Sequence, residues 1–147
     1  MALQELGESL IGLKDAELEL IPLDEDLRAA IRMAAGMNSH GALRRQKQRI
    51  GKLMRHVDAE AIRIALHRLG ASERRSKRLF AAAERWRDRL IREGDAALEE
   101  FEAEFGVVDK ALRDQLRDLA ATLDERTEKT LRRQIFRRLH TLLSESL

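Results

Sequence analysis

Between Leu43 and Val57 the chain is strongly basic and yet keeps an apolar seam at helical spacing, which leaves few folds open to it. At about 100° per residue, Leu43, Gln46, Ile50, Leu53, Met54 and Val57 share one arc, while Arg44, Arg45, Gln48, Arg49, Lys52, Arg55 and His56 cover most of the other side. Such a helix docks one face on a protein core and turns a strip of cations outward. The same periodicity recurs along the chain: Leu27, Ala30, Ile31 and Ala34; Ile62, Ala65, Leu66 and Leu69; Leu131, Ile135, Leu139 and Leu142. No segment alternates apolar and polar as a strand does, and proline occurs once. The fold class is all-α, a compact bundle of about five to seven helices, read as one domain over 1–147 with two lobes, 1–92 and 93–147, as a variant.

Local signals divide the chain further. The spacing of Leu3, Leu6, Leu10 and Leu13 predicts a first helix over about Leu3 to Glu19, and Ile21-Pro22-Leu23 ends it. Asp24 is the N-cap expected for the next helix. Gly36, Asn38 and Gly41 mark either a kink or a short loop before the basic helix. Asp58 caps a short helix that Gly70 ends, and Ser72 caps a long one running to about Arg92. An acidic helix from Ala96 to Phe105 is closed by Gly106, and two more carry Leu112, Leu116, Leu119, Leu123 and then Leu131 to Leu142.

Net charge is only +2, but it is segregated: −7 over residues 1–26, +13 over 27–92, −8 over 93–128 and +4 over 129–147. A basic block of this size between acidic ones marks either a polyanion site or helices that neutralise one another inside the fold. A second cationic strip supports the first reading. Arg74, Arg78, Arg85, Arg89 and Arg92 fall within about 60° of one another, away from the packing arc of Leu79, Ala83, Trp86 and Leu90. Arginine offers planar paired donors to phosphate, and two such strips suit the sugar-phosphate backbone of folded RNA. With a single tryptophan and four phenylalanines, the chain is not a single-strand binder built on a stacking track, and Trp86, in register with Leu79 and Leu90, is core.

Catalytic chemistry has little to work with. There is no cysteine, hence no disulfide or thiolate metal site. None of His40, His56, His67 and His140 has a glutamate three residues before it, as a carboxylate di-metal site in a bundle would require. HExxH, P-loop and GxSxG motifs are absent. We expect no enzyme activity, no cofactor, no small-molecule substrate and, with no apolar run near the length of a span, no membrane segment. The expected compartment is the cytoplasm. The RNA-contacting candidates are Arg44, Arg45, Lys47, Arg49, Lys52, Arg55, Arg74, Arg78, Arg85 and Arg89. A helical adaptor that binds other proteins is the alternative.

Three stretches carry a resemblance: Ile21-Pro22-Leu23-Asp24-Glu25-Asp26-Leu27-Arg28-Ala29-Ala30-Ile31; Arg44-Arg45-Gln46 through Ile50-Gly51-Lys52-Leu53-Met54-Arg55; and Trp86-Arg87-Asp88-Arg89-Leu90-Ile91 with Gly94-Asp95. With the closing Arg133-Gln134-Ile135-Phe136-Arg137, they resemble the family of dual-action ribosomal maturation proteins, in order and across nearly the whole chain. The resemblance implies an all-helical, cytoplasmic, non-catalytic assembly factor. It would bind ribosomal RNA of the large-subunit precursor, act alongside other assembly factors and promote maturation of the peptidyl transferase centre. Family members begin with a longer acidic tail, and where they carry a basic, asparagine-containing stretch this chain has Leu119-Ala120-Ala121-Thr122.

Overall fold

A computed structural model describes residues 1–147 as eight α-helices: α1 (Leu3–Ser9), α2 (Asp15–Leu18), α3 (Glu25–Ala35), α4 (His40–Leu53), α5 (Ala59–Glu93), α6 (Asp95–Phe105), α7 (Lys110–Ala121) and α8 (Glu125–Ser146). Short 3-10 turns follow α1 at Leu10–Gly12 and α4 at Met54–His56. The chain is all-α, one helix beyond the expected range, the eighth being the single turn α2.

The chain forms two compact units, Met1–Ser72 and Glu73–Leu147, and the division between them falls inside α5. The expected break at Gly70 does not occur. Positive φ is confined to Gly94 and Gly106, and Gly70 and Ser72 both lie within the 35-residue α5. An interior glycine weakens a helix by only about 1 kcal/mol, less than the packing on either side of it supplies. Residues 71–78 of α5 are all exposed, whereas Ile62 before them and Leu79 after them are buried in different cores.

In the first unit, Leu6, Leu10, Ile21, Leu27, Ile31, Ile50, Met54 and Ile62 form the core. The predicted first helix is broken. After Gly12 the chain extends through Leu13 and Lys14, and α2 restarts with Glu17 accepting a hydrogen bond from the Lys14 N–H at 2.9 Å. Asp24 caps α3, accepting from the Leu27 N–H at 2.8 Å. The glycine-rich zone is a loop, Gly36 to Ser39, and Ser39 caps α4. Gly7 is a contact residue more than a weak point of α1: a Cβ there would sit 2.9 Å from both Ile50 Cγ2 and Met54 Cγ. Its missing side chain lets α1 lie against α4, the basic helix.

The second unit packs Leu79, Ala83, Leu90, Phe101, Leu112, Ile135, Leu139 and Leu143 together. Gly94 at φ 67° and Gly106 at φ 62° bound α6, conformations that a Cβ would strain. Leu123, expected on a packing seam, is fully exposed because α7 stops at Ala121 and Asp124 begins a new cap.

Asp109 caps α7, accepting from the Leu112 N–H at 2.9 Å, and its carboxylate also takes two hydrogen bonds from Arg138 of α8, at 2.8 and 2.5 Å. The Arg138 guanidinium beside it holds the carboxyl below the usual aspartate range. The folded form therefore keeps the proton off more strongly than the unfolded chain does. The resulting stability is fully present above the unfolded aspartate range and is lost as pH falls through the depressed value. Asp109→Ala should lower stability by about 1 to 2 kcal/mol, about 1 from the cap and the rest from an ion pair that solvent at Arg138 partly screens. Asp109→Asn should lose less near neutral pH, since the amide oxygen still caps. Urea melts at pH 7 and pH 3 check both: the difference between parent and Asp109→Asn should shrink at the acid end.

Candidate nucleic-acid interface

Helix α4 faces inward along the seam its sequence marks. Ile50 is fully buried and Gln46 is 8% exposed. A buried amide needs a partner, and Gln46 Nε2 donates to the Ala30 carbonyl of α3 at 2.9 Å. On the α1 side, Gln4 Nε2 donates to the Lys47 carbonyl at 2.9 Å, and a Cβ at Gly51 would meet the Gln4 side chain at 1.8 Å. Both flanks of α4 are thus pinned, which fixes the direction of its outer face.

That outer face carries Arg44, Arg45, Arg49 and Lys52, and the 3-10 turn that follows adds Arg55; all five are exposed. The ion pairs of this unit are Arg32–Glu19, Lys47–Glu8 and Arg63–Glu60, so none of those five cations has a carboxylate partner. Lys47 differs from them. It lies about 60° from Ile50 in projection, at the edge of the seam, and its Nζ is 3.5 Å from Glu8 on α1.

In the second unit, Arg74, Arg78 and Arg85 of α5 are exposed and unpaired. Arg89 is not free. It donates to Glu93 at 2.6 Å and to Glu100, and its guanidinium carbon lies 5.0 Å from the Trp86 ring centre. The two carboxylates, Glu100 foremost, raise its pKa further. Trp86 itself is half-buried and meets Phe101 and Phe105 edge-on at 5.2 and 5.9 Å. Besides Arg89, the acidic block neutralises arginines of its own and of α8: Glu102 holds Arg113, Asp114 holds Arg117, Asp109 holds Arg138 and Glu128 holds Arg132. Those pairs leave Arg74, Arg78 and Arg85 without partners.

Sequence reasoning also passed over an arginine with a structural task. Arg28 of α3 donates to the carbonyls of Leu18 at 2.6 Å, Ile21 at 3.0 Å and Leu23 at 3.3 Å, clamping the loop around Pro22. Its signal is Pro22 itself, which ends regular hydrogen bonding and leaves carbonyls in need of a donor.

Two cationic faces, each on a helix whose other side is packed, offer repeated guanidinium and ammonium donors to a run of phosphates. No helix is long and apolar enough to cross a membrane. Residues 1–144 match the family described as "Dual-action ribosomal maturation protein DarP". Proteins of that name from Vibrio parahaemolyticus and Pectobacterium atrosepticum are 40% and 43% identical to this chain, over 99% and 96% of its length and 83% and 77% of theirs. One from Edwardsiella ictaluri is 42% identical over 96% of the chain and 77% of its own length. With a family match over residues 1–144 and relatives of 40% to 43% identity along nearly its whole length, the chain belongs to the family of dual-action ribosomal maturation proteins.

Proposed function

We propose that this protein is a non-catalytic, cytoplasmic assembly factor that binds ribosomal RNA of the large (50S) subunit precursor and promotes its late maturation, including that of the peptidyl transferase centre. The observation that carries the RNA reading is the outer face of α4 and the turn after it, where five exposed cations lie together without a single carboxylate partner. Unpaired like charges on a pinned helix repel one another and gain most from an external polyanion. Family membership supports the ribosomal setting.

The working residues are Arg44, Arg45, Arg49 and Lys52 on α4 and Arg55 on the turn after it, with Arg74, Arg78 and Arg85 on α5. Lys47 and Arg89, already held by Glu8 and by Glu93 with Glu100, contribute less. Phosphate contacts from these strips hold RNA segments in one arrangement. A binder moves a folding equilibrium only through its differential affinity for the two states, so the maturation step it promotes is one whose product presents phosphates at the spacing of the cations within a strip.

A second reading, a helical adaptor for other assembly proteins, is favoured by a groove of about 740 Å³ in the second unit, lined by Leu98, Leu116 and Leu119 with charged side chains such as Glu99, Arg117 and Arg132 around them. Ultraviolet crosslinking in cells, mapped to nucleotides, together with titration of precursor particles across a salt series, separates the two. RNA binding gives large-subunit rRNA crosslinks and steep salt dependence; an apolar protein interface gives neither.

A further inference from the structure

Helix α8 carries a cationic face of its own. Arg126, Lys129, Arg133 and Arg137 fall within about 80° of one another in projection. All four are exposed and none has a carboxylate within ion-pair distance, whereas Arg132 and Arg138, off this arc, are paired with Glu128 and Asp109. Beside the arc stands an aromatic pair. Phe80 of α5, 51% exposed, meets Phe136 of α8 edge-on with ring centres 5.1 Å apart. Arg87 lies over the other ring at 5.7 Å, and His140 is 6.1 Å from it. The remaining phenylalanines, Phe101 and Phe105, pack in the core, so Phe80 is the one whose ring is offered to solvent. Glu73 and Asp88 on α5 are tied to Lys77 and Arg87, while Glu84, half-buried one turn along α5, and Glu125, at the start of α8, have no ion-pair partner.

We propose that the outer face of α8, with Phe80 at its side, is a separate RNA-binding surface that takes unpaired nucleotides: phosphates along Arg126, Lys129, Arg133 and Arg137, and one base against Phe80. This rests on the RNA reading above and adds the kind of RNA and the residues that select it. A cationic row alone fits any polyanion. An exposed aromatic ring at the row's edge adds a π-face that a paired base, already stacked on both sides, cannot use. Few aromatics rule out a continuous stacking track, not a single platform. The Arg133-Gln134-Ile135-Phe136-Arg137 segment thereby divides its labour: Ile135 to the core, Phe136 to hold Phe80, the arginines to phosphate.

The test uses the full chain, a fluorescent 12-nucleotide single-stranded RNA, the same sequence as a duplex, and anisotropy across a salt series. Phe80→Ala should weaken single-stranded binding roughly 5- to 100-fold, leave duplex binding and the salt slope unchanged, and be rescued by Phe80→Tyr. Arg133→Ala with Arg137→Ala should weaken both probes and cut the salt slope by roughly 1.4 to 1.8. Circular-dichroism melts confirm folding of each variant. If both variants bind single-stranded RNA like the parent while Arg45→Ala, Arg49→Ala and Lys52→Ala together lose it, the α8 surface is overturned and the function stands. Loss in the arginine pair with no effect of Phe80→Ala overturns the base platform. A concentration-dependent dimer of the parent that Phe80→Ala dissolves assigns the face to a second copy and overturns the proposal. A parent that binds no RNA overturns both readings.

Discussion

Alanine at Trp86 should lower the unfolding free energy by about 3 kcal/mol, the low end of the range for large aromatic truncations because the indole is half-buried. The loss is concentrated in one place. Trp86 touches Phe101 and Phe105, and Phe101, 1% exposed, cannot close the gap without moving α6. Edge-to-face aromatic pairs also contribute beyond their buried area. Arg85→Ala, one residue away but exposed and unpaired, should change stability by no more than about 0.5 kcal/mol and weaken RNA binding instead. Arg89→Ala should do some of each, since it covers the Trp86 ring and ties α5 to Glu100 of α6. Thermal melts and RNA titrations on the three variants check this ordering. A Trp86→Ala protein that melts like its parent yet fails to bind RNA would reassign the tryptophan to the recognition surface.

Periodicity and capping were enough to read most of the fold, because both are local. Asp24 and Asp58, the caps read from the sequence, each accept a hydrogen bond from the backbone N–H three residues on, and Gly106 closes α6 in the left-handed region. Where the reading failed, long-range packing decided. Gly70 and Ser72 look like a stop and a start, but an interior glycine lacks the strength to end a helix held by two cores. Gly12 does break its segment, with Leu10 and Leu18 packed into the same core from either side of the break.

The cationic faces were legible in projection, but the state of each cation was not. Arg89 and Arg85 belong to one arc in sequence, yet Glu100 comes from the next helix and pairs with Arg89 alone. The α8 row was hidden for the opposite reason. Its cations are interleaved with Arg132 and Arg138, and only the pairing of those two with Glu128 and Asp109 separates structural arginines from free ones.

The heaviest functional loss should follow from removing Arg45, Arg49 and Lys52 together. With three phosphate contacts gone, the salt slope should fall by roughly 2 to 3, and affinity at 0.15 M salt by roughly 100-fold. The fold should survive, since all three point away from Ile50 and Met54, none takes part in an ion pair, and alanine is a better helix former than any of them. Relief of their mutual repulsion should even raise the melting temperature slightly. Lys47→Ala supplies the internal control. Held by Glu8 against α1, it already has a partner, and its loss should change binding several-fold less than that of Arg49. Sedimentation with large-subunit precursors at two salt concentrations reads both. Equal losses from Lys47→Ala and Arg49→Ala would mean that RNA displaces Glu8 and that the whole girth of α4 is in contact. A triple variant that co-sediments like the parent at moderate salt would reduce the outer face of α4 to a solvated one.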